Sequence, residues 1–542
     1  MINIKLNEFF AILVIAFSSV TGACSQRAYD VAALHRGLPG KPASLDPQNS
    51  ADYASSEILR DLFEGLTAET TVGSVELAVA EKLAISDDGR RYTFVIRHGA
   101  KWSDGSPVVA DDFVEALRRA VAPQTAAPAA NLLDCVQNAS DIIAGKRPPE
   151  DLGVRAIDAR TLVIELGHPA PYFLALLAYP IAFPLHRESF ARHGNRFTLP
   201  GNLVSNGAYI LEAQLPGGAV RLVRNPHYWD QAHVSIPAVE FLPFEDAKAE
   251  LTRYRAGQLD VTSVVPASDM DWVRARLADE LQTRAQLGVY YLAVNLAVPE
   301  LRDHPELREA LALAIDRDLI VNQALKAGQT AAMSFVPPGI PGYDPSRYTW
   351  ASDPLTARIE RARALYARAG FGPDHPLHLR MVYAQGETVR YMALAVVAQW
   401  RELLGVDVEL EAMEFRAFLA ARNDRKAWDV LINGWNADYP DPGNFLDVFR
   451  SGSPQNDPML ADPQLDGLLV RAAYEADLSQ RAVLYGQAEQ RLLQSYAAIP
   501  VYFVATRRLV KPYVVGAKLN PMNHNHTKDW RIDASKKAAS PG

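Results

Sequence analysis

The residue types that most often carry chemistry are few in this sequence, and their spacing matches no metal or catalytic site. His524 and His526 lie two positions apart in a polar segment, but no third ligand stands beside them. Such a pair is more often solvated than bound to a metal ion, so we expect neither a metal nor another cofactor. Asp111 and Asp112 open a predicted helix, where acidic side chains stabilise the helix N-terminus. We assign these carboxylates to that role rather than to acid–base catalysis.

The compact motifs of common enzyme and cofactor sites are also absent from the sequence. It contains no Gly-x-Ser-x-Gly, His-Glu-x-x-His, Cys-x-x-Cys or Gly-x-Gly-x-x-Gly segment. Gly145 and Lys146 lack both the upstream glycine and the following Ser or Thr of a phosphate-binding loop. Catalytic groups can be distant in sequence, so an enzyme is not excluded. The pattern favours a protein that binds without covalent chemistry.

The first cysteine, Cys24, follows an apolar segment and a run of small residues. Residues 9–17 read FFAILVIAF, which is the length of the apolar region of a secretory signal peptide. The residues before Cys24 resemble a bacterial lipobox, although Thr21 stands where leucine is usual. We predict a signal peptide at residues 1–23 and lipidation of Cys24, which would anchor the protein to a membrane. The alternative is cleavage by the general signal peptidase, which would leave an unanchored protein.

The second cysteine, Cys135, lies in an apolar segment without nearby basic residues. A buried, inert thiol is therefore expected, because a reactive thiolate needs positive charge close to it. With Cys24 modified, no disulfide can form within the mature chain. An exported protein of this size does not need one, because its core is large enough to stabilise it.

Composition narrows the class of protein. The chain has 542 residues, and a chain of this length is expected to form about three to four domains. Apolar residues make up 49% and charged residues 22%, as in ordinary globular proteins. The net charge of -8 argues against a nucleic-acid-binding surface. Beyond the N-terminal segment no apolar run approaches the roughly 20 residues that span a bilayer, so a multispanning membrane protein is excluded.

Hydrophobic periodicity predicts a mixed α/β chain. Residues 91–97 alternate in polarity, which predicts a strand with Tyr92, Phe94 and Ile96 on one face. Residues 101–107 have the Asp-Gly and Pro of a turn, and a helix with apolar residues every fourth position follows at 111–121. Further helices are predicted at 305–315, 394–404 and 481–496, and further strands at 161–166, 220–224, 288–295, 406–411 and 499–504.

Short segments spread along the chain together resemble one family. They are SLDP (44–47), DLFEGL (61–66), SDDG (86–89), KWSDG (101–105), SNGAY (205–209), NPHYW (225–229), YRAGQLD (254–260), AIDR (314–317), WNADY (435–439), IPVY (499–502) and LVKP (509–512). Each alone is weak, but their order is specific. The set resembles the extracytoplasmic oligopeptide-binding proteins of ABC peptide importers, the family 5 solute-binding proteins, from about Val31 to Ile532.

This resemblance implies an α/β fold of the periplasmic-binding-protein kind, type II-like, with two main lobes joined by a hinge and one extra lobe. It places lobe I at residues 26–64, 189–287 and 506–542, lobe II at 65–188 and lobe III at 288–505. The ligand would be enclosed when the lobes close about the hinge.

The resemblance also implies the function. The protein would capture short peptides in the periplasm, as a monomer, and deliver them to an inner-membrane ABC permease with its ATPase subunits. A binder that tolerates any sequence should pair the peptide ends and add the peptide to its own sheet as a strand. No nucleic-acid partner and no enzymatic activity are implied.

In the family, the aspartate of a Trp-x-Ala-Asp-Tyr segment holds the peptide α-amino group, and Asp438 is the matching residue. The alternative for Asp438 is a loop residue that caps the turn before Pro440. Trp435 and Phe415 would form walls of side-chain pockets, or pack in the core. Arg422 matches an arginine near the carboxyl end of bound peptides, although it could equally be a solvated residue at a helix end.

Backbone pairing with the peptide would come from two segments. One is Leu34, His35, Arg36 and Gly37. The other runs from Gly434 to Ala437.

This chain departs from the best-known members of the family at several positions. Val389 and Ile432 replace a histidine and an arginine that help to receive the peptide carboxylate, and Ala129 lies near the position of a ligand-contacting tyrosine. Gly288 and Asn436 together replace a cysteine pair. The peptide length that those members prefer therefore cannot be assumed for this protein.

Other ligands and another class of function remain open at this stage. Relatives bind murein tripeptide, nickel chelates or oligosaccharides, although an aspartate at 438 favours a ligand with a free amino group. A peptide chaperone or a peptidase-like protein on the same fold is the alternative from a different class.

Overall fold

The computed structural model describes residues 33–50 and 52–539. The predicted signal peptide and Cys24 lie outside these residues. Within them, the strand predicted from alternation is present as Arg91–Ile96, with Tyr92, Phe94 and Ile96 buried and the residues between them more exposed. Alternation places one face of this strand in the core, as expected for a half-buried strand.

The predicted helix that follows is present as Ala110–Val121, and its start shows what the acidic pair does. The Asp112 carboxylate accepts hydrogen bonds from Val109 N at 3.0 Å and from Trp102 Nε1 at 3.0 Å. It thus satisfies a backbone donor at the helix start and ties the helix to a buried tryptophan. The assignment of this pair to helix stabilisation is confirmed for Asp112.

The turn before this helix closes between Lys101 and Pro107, which form a β-bridge. Gly105 has φ of +90°, a conformation that favours glycine. The other predicted elements are also present, but some are longer than predicted: the helix predicted at 394–404 begins at Glu387, and the strand predicted at 288–295 begins at Leu281. The helix predicted at 305–315 ends at Leu313 in the structure, so Ile315 lies just beyond it.

The strands that the structure describes are β1 (Ala33–Pro39), β2 (Thr67–Glu69), β3 (Val75–Leu77), β4 (Ala80–Ile85), β5 (Arg91–Ile96), β6 (Val154–Ala156), β7 (Thr161–Glu165), β8 (Tyr209–Gln214), β9 (Val220–Arg224), β10 (Ala238–Phe244), β11 (Leu281–Val294), β12 (Thr330–Ala331), β13 (His378–Ala384), β14 (Asp407–Met413), β15 (Val430–Asn436), β16 (Ala498–Leu509), β17 (Val514–Val515) and β18 (Arg531–Ile532).

The α-helices are α1 (Tyr53–Leu62), α2 (Ala110–Val121), α3 (Ala139–Ile143), α4 (Phe173–Leu176), α5 (Arg187–His193), α6 (Ala247–Arg255), α7 (Met270–Arg276), α8 (Pro299–Arg302), α9 (Pro305–Leu313), α10 (Arg317–Leu319), α11 (Leu355–Arg368), α12 (Glu387–Leu404), α13 (Phe415–Asn423), α14 (Pro442–Leu446), α15 (Pro463–Tyr474), α16 (Leu478–Ser495) and α17 (Ala534–Ala539). None of the helices in the described ranges is long and apolar enough to cross a membrane.

Three large sheets organise the described part of the chain. A four-stranded sheet has the order β1-β10-β9-β8, in which only the β1–β10 pair is parallel. A second four-stranded sheet, β4-β5-β7-β6, is antiparallel throughout. The third has six strands in the order β12-β16-β11-β15-β13-β14, antiparallel up to β15 and parallel beyond it. Small antiparallel pairs are formed by β2 with β3 and by β17 with β18.

The apolar side chains form two large cores. One extends over both four-stranded sheets and includes Leu34, Phe94, Phe113 and Trp530. The other is built on the six-stranded sheet and its helices. Each core is continuous in itself, so the residues that the structure describes form two main bodies of packed side chains.

The lobe boundaries given by the resemblance stay a prediction. The strands of the first sheet all fall in predicted lobe I and those of the second in predicted lobe II. Strands β11 and β16 pair along their length and run through the predicted boundary between lobes I and III. Two adjacent strands that pass from one lobe to the other are where we expect a hinge.

Candidate ligand-binding site

Strand β15 leads to the residues of the predicted site and is flanked unequally by its neighbours. On one edge, β11 pairs with it from Val430 to Asn436. On the other edge, β13 pairs only with Val430, Leu431 and Ile432. Within the described part of the chain, the last residues of β15 therefore have one edge without a strand partner.

Gly434 lies on this part of β15, directly over an aromatic ring. A Cβ atom at position 434 would stand 2.8 Å from Tyr290 Cζ, closer than packed atoms allow. Tyr290 itself stacks on Tyr502, with ring centroids 5.1 Å apart. The strand can approach this aromatic pair only because residue 434 is glycine.

The loop after β15 is fixed by a buried ion pair. Asp441 accepts hydrogen bonds from Arg481 Nη1 at 2.5 Å and Nη2 at 2.9 Å, and both residues are buried. It also caps α14 by accepting from Gly443 N at 2.8 Å. A bidentate arginine pair of this kind fixes geometry as well as charge. The loop thus holds Asp438 in a defined place.

Trp435 and Asp438 line the same cleft, whose volume is about 420 Å³. Its walls come from residues 131–172 on one side and from residues 435–473 on the other. Three carboxylates line it, those of Asp134, Asp438 and Asp447, and Arg450 is the arginine in its wall. The cleft is thus polar and carries more negative than positive charge.

Asp438 is half-buried, and burial raises the pKa of its carboxyl group. The hydrogen bond from Asn444 and the proximity of His524 act in the opposite direction. Burial and then the Asp438 charge raise the pKa of Tyr179 to about 12. These shifts place a carboxylate with incomplete solvation between the two walls.

Asp447 is the second shifted carboxylate of the cleft. Burial raises its pKa to about 6, although Arg450 donates from Nε to Asp447 Oδ1 at 2.8 Å and lowers it. Arg450 is thus engaged with Asp447 rather than with Asp438.

An aromatic contact joins the two walls of the cleft. The rings of Tyr172 and Tyr439 are stacked, with centroids 4.3 Å apart and planes 13° from parallel. A second contact, between His168 and Tyr474, has a centroid distance of 5.1 Å.

Phe415 and Arg422 lie on α13, outside the lining of this cleft. Phe415 is 61% exposed. Arg422 donates from Nε to Asp457 Oδ1 at 2.5 Å, and Asn433 Nδ2 donates to the other oxygen of Asp457 at 2.7 Å. Arg425 is within 3.6 Å of the same carboxylate, so two guanidinium groups share one buried aspartate.

Leu34 and Arg36 belong to β1, and both edges of this strand are occupied within the protein. The strand pairs with β10 along its length, while His35 O and Gly37 N bond to the chain at residues 260–261. Leu34 is buried, and Arg36 is paired with Glu57 at 2.6 Å. Pairing of a peptide with Leu34 or Arg36 would need one of these edges to open, and their role stays a prediction.

The positions that depart from the family are placed as follows. Ile432 is buried in β15, and Val389 and Ala129 are half-buried. Gly288 and Asn436 are direct partners in the β11–β15 ladder, so the two departures face each other.

Cys135 also lines the cleft, yet it has 2% of its surface exposed and is unpaired. Burial raises the pKa of its thiol to about 12. The prediction of a buried thiol is confirmed.

The structure places the two C-terminal histidines in different surroundings. His524 Nδ1 is 2.6 Å from Glu69 Oε2, and burial lowers the pKa of His526 to about 3. Among the residues that the structure describes, no group of three or more His, Cys, Asp or Glu is arranged to hold a metal ion.

Sequence reasoning missed several residues of the site. Asn444, Tyr172 and Tyr179 belong to none of the segments that carry the resemblance. Tyr439 and Asp447 lie close to Asp438 in sequence, but nothing in their types indicated a role. These residues are identified only by their position around Asp438 in the folded structure.

Comparisons with known proteins agree with this architecture. Residues 74–457 match the family described as bacterial extracellular solute-binding proteins, family 5 Middle. A periplasmic oligopeptide-binding protein OppA of Salmonella typhimurium is 36% identical over 528 residues, 96% of each chain. A probable deoxycholate-binding periplasmic protein YgiS of Escherichia coli is 36% identical over 498 residues, 91% of this chain and 92% of the relative.

A solved structure shares the fold. The Escherichia coli murein tripeptide binding protein MppA superposes with a TM-score of 0.82 and 34% sequence identity, over 92% of this chain and 98% of that one. The expected α/β fold of the multi-lobed periplasmic binding proteins is thereby confirmed. The chain belongs to the bacterial extracellular solute-binding proteins of family 5.

Proposed function

We propose that this protein captures short peptides in the periplasm and delivers them to an inner-membrane ABC permease with its ATPase subunits. It acts as a monomer, holds the peptide by its free α-amino group and its backbone, and performs no covalent chemistry. Similarity to an oligopeptide-binding relative over nearly the whole chain supports this proposal.

The observation that carries the proposal is the half-buried carboxylate of Asp438 between the walls of the cleft. Removal from water raises its pKa, so a positively charged partner would be favourable there. In such a place an ammonium–carboxylate pair is worth more than the roughly 0–1 kcal/mol of an exposed pair. The charged start of a peptide is a partner of the right size and sign.

The free edge of β15 supports pairing with the peptide backbone. Ala437 N donates to Leu287 O at 2.8 Å, so the groups of Ala437 point toward β11. Because backbone groups alternate along a strand, those of Asn436 and Gly434 point to the opposite edge. Gly434 N already donates to Asn433 Oδ1 at 2.9 Å, so Gly434 O and the groups of Asn436 are the ones that would meet a peptide. That edge lies next to Asp438, where a peptide strand would begin.

Closure of the lobes would complete the enclosure. We propose that β11 and β16 act as the hinge between predicted lobes I and III and that Asp438 meets the ligand as predicted lobe II approaches. The walls already touch through Tyr172 and Tyr439. Enclosure would exclude water from the ion pair and strengthen it.

Isothermal titration calorimetry with defined tripeptides tests the proposal. We expect Asp438→Asn to weaken the binding of a free tripeptide by more than tenfold, which is more than 1.4 kcal/mol. An N-acetylated tripeptide should bind the unaltered protein with a similar loss, because it lacks the ammonium group.

Asp134→Asn is the matched control, because Asp134 lines the same cleft from the opposite wall. This substitution removes one negative charge but leaves the proposed contact intact. We therefore expect peptide affinity to fall by less than about threefold. Equal losses for both variants would show a diffuse electrostatic effect. Equal affinity for free and acetylated peptides would refute the role of Asp438.

A murein peptide is a second candidate ligand. The structural relative MppA is a murein tripeptide binding protein, and Asp447 on the wall of Asp438 and Asp134 on the opposite wall add carboxylates to the cleft. A ligand with an amino group in its side chain would suit them. Competition calorimetry between a murein tripeptide and trialanine distinguishes the two candidates.

We also propose that residues 1–23 are a signal peptide and that Cys24 is lipidated. The small residues before Cys24 support this, and a lipid anchor would hold the protein at a membrane of the periplasm. Labelling of cells with a radioactive fatty acid should mark the protein, and Cys24→Ser should abolish the label. An unlabelled protein whose mass shows that the N-terminal segment has been removed would point to cleavage by the general signal peptidase.

A further inference from the structure

Asn444 connects the two predicted site residues of the cleft by hydrogen bonds. Its Oδ1 accepts from Trp435 Nε1 and from Asp438 N, each at 3.1 Å. Its Nδ2 lies 3.4 Å from Asp438 Oδ2 and donates to it. The orientation of the amide is unambiguous, because an indole N–H and a backbone N–H can only donate. One buried side chain thus contacts both residues.

The position of Asn444 is itself fixed by the start of α14. Asp441 caps this helix and is held by Arg481. A Cβ atom at Gly443 would stand 2.5 Å from Tyr485 Oη, so the helix packs closely against α16 at this point. Asn444 is 6% exposed and cannot turn toward solvent without leaving its partners. Its side chain is therefore directed back at Asp438.

The contacts of Asp438 leave one carboxylate oxygen for a ligand. Asn444 donates to Oδ2, whereas no hydrogen bond from the residues in 33–50 or 52–539 reaches Oδ1. A carboxylate held at one oxygen has a fixed direction at the other. Preorganised groups bind more strongly because less freedom is lost when the ligand arrives.

We infer that Asn444 is a positioning residue, which orients the Asp438 carboxylate and the Trp435 ring toward the bound peptide. This inference rests on the proposed function. Asn444 lines the same cleft, but its polar atoms are engaged with Trp435 and Asp438. It acts through the two residues that it holds.

A double-mutant cycle tests this role. Asn444→Leu keeps a similar volume and removes all three hydrogen bonds, so we expect a loss of peptide affinity of about tenfold. Asp438→Asn should lower it by more than tenfold. If Asn444 acts through Asp438, the double variant should bind within about threefold of Asp438→Asn alone, because interacting residues are not additive.

The dependence of peptide affinity on pH is a second measurement. A general loosening of the fold would lower the affinity without changing this dependence. Donation from Asn444 lowers the pKa of Asp438, so its removal should raise the pH at which affinity is lost on acidification. Tyr179 and His524 interact electrostatically with this carboxylate, and Asp134 and Asp447 line the same cleft; all four are unchanged in the variant. A lower affinity with an unshifted profile would mean a structural role and overturn the inference.

Asn444→Asp is the second variant, in case Asn444→Leu unfolds. It has the same size and retains the acceptors for Trp435 and Asp438 N, but replaces the donor by a carboxylate. We expect the pH at which half of the affinity is lost on acidification to rise more in this variant than in any other, since two neighbouring carboxylates share a proton more readily. An unchanged midpoint would overturn the inference.

The outcomes separate the two proposals. If Asp438→Asn binds like the unaltered protein, the role of Asp438 in the proposed function fails. If Asp438→Asn loses affinity while Asn444→Leu does not, only the positioning role of Asn444 fails. If the losses of affinity in the double-mutant cycle are additive, the positioning role of Asn444 is also rejected.

Discussion

Tyr172 and Tyr439 stack across the cleft with ring centroids 4.3 Å apart, and they come from opposite walls. Arg481, which fixes the loop after β15, has its guanidinium carbon 5.8 Å from the centre of the Tyr172 ring. The same buried ion pair therefore supports the site and its contact with the facing wall. We interpret the tyrosine pair as a contact that holds the cleft closed.

Removing this contact should speed the release of peptide. Tyr172→Ala loses an aromatic pair worth about 0.5–1.5 kcal/mol, so we expect the dissociation rate to rise by roughly two- to tenfold. Tyr172→Phe is the control, because it keeps the ring and should bind as before. Stopped-flow displacement measures the rates, and small-angle scattering measures the closed fraction. An unchanged rate in Tyr172→Ala would contradict this role.

The carboxyl end of the peptide should depend on Arg422. Asp457 is shared by Arg422 and Arg425, so the pairing leaves an excess of positive charge on α13 and its neighbourhood. We predict that Arg422→Gln weakens the binding of free-acid peptides by about three- to tenfold and leaves C-amidated peptides nearly unaffected. Calorimetry with matched free-acid and amidated peptides measures both.

Arg425→Gln is the matched control for this prediction. Arg425 Nη1 donates to Asp457 O at 3.1 Å, so its loss disturbs the same aspartate. It should affect free and amidated peptides alike. Equal losses for both peptides in Arg422→Gln would assign Arg422 a structural role instead.

The sequence predicted the elements well because their signals are local. The alternation of Tyr92, Phe94 and Ile96 and the acidic start of α2 are properties of neighbouring residues, and both were found in place. Trp435 and Asp438 lie in one short segment, and the structure brings them to one cleft.

Contacts between distant parts of the chain could not be predicted in this way. The partners of β1 are β10 and residues 260–261, and nothing near Leu34 in sequence indicates that both edges are filled. The partner of Arg422 is Asp457, which is 35 residues further along the chain. Asn444 is close to Asp438 in sequence, but only the turn of α14 directs its side chain back to it.

Gly288 and Asn436 are direct partners in the ladder, which makes a further prediction possible. A Cβ atom added at Gly288 would displace the exposed Asn436 side chain and stand 3.0 Å from Val504 Cγ2, so Gly288→Ala should lower the free energy of unfolding by about 1 kcal/mol. Changing both residues to cysteine removes that obstacle. Partners in an antiparallel ladder lie within the range of Cα distances that a disulfide spans.

The double cysteine variant should therefore form a disulfide under oxidising conditions and be stabilised by about 2–4 kcal/mol. Thermal melting with and without a reducing agent measures this. Gly288→Cys alone is the control and should resemble Gly288→Ala. Free thiols in the oxidised double variant, detected by mass spectrometry after alkylation, would contradict the prediction.

Glu250 should make stability depend on pH. It is 1% exposed and accepts hydrogen bonds from Ser263 N at 2.5 Å and Ser263 Oγ at 2.8 Å, and no ion pair reaches it from the described residues. Burial raises its pKa to about 7. The unfolded chain releases this proton near the ordinary value of 4.5, so between these values the folded state binds more protons.

Stability from this group is thus present at low pH and lost as the pH rises toward 7. Between pH 5 and pH 8 the loss should be roughly 2 kcal/mol. Glu250→Gln should remove this dependence, because the amide stays neutral and can still bond to Ser263. Glu245→Gln, at an exposed position on the same segment, is the control and should leave the profile unchanged. Denaturant unfolding at pH 5, 6, 7 and 8 measures the difference, and parallel profiles for Glu250→Gln and the unaltered protein would refute it.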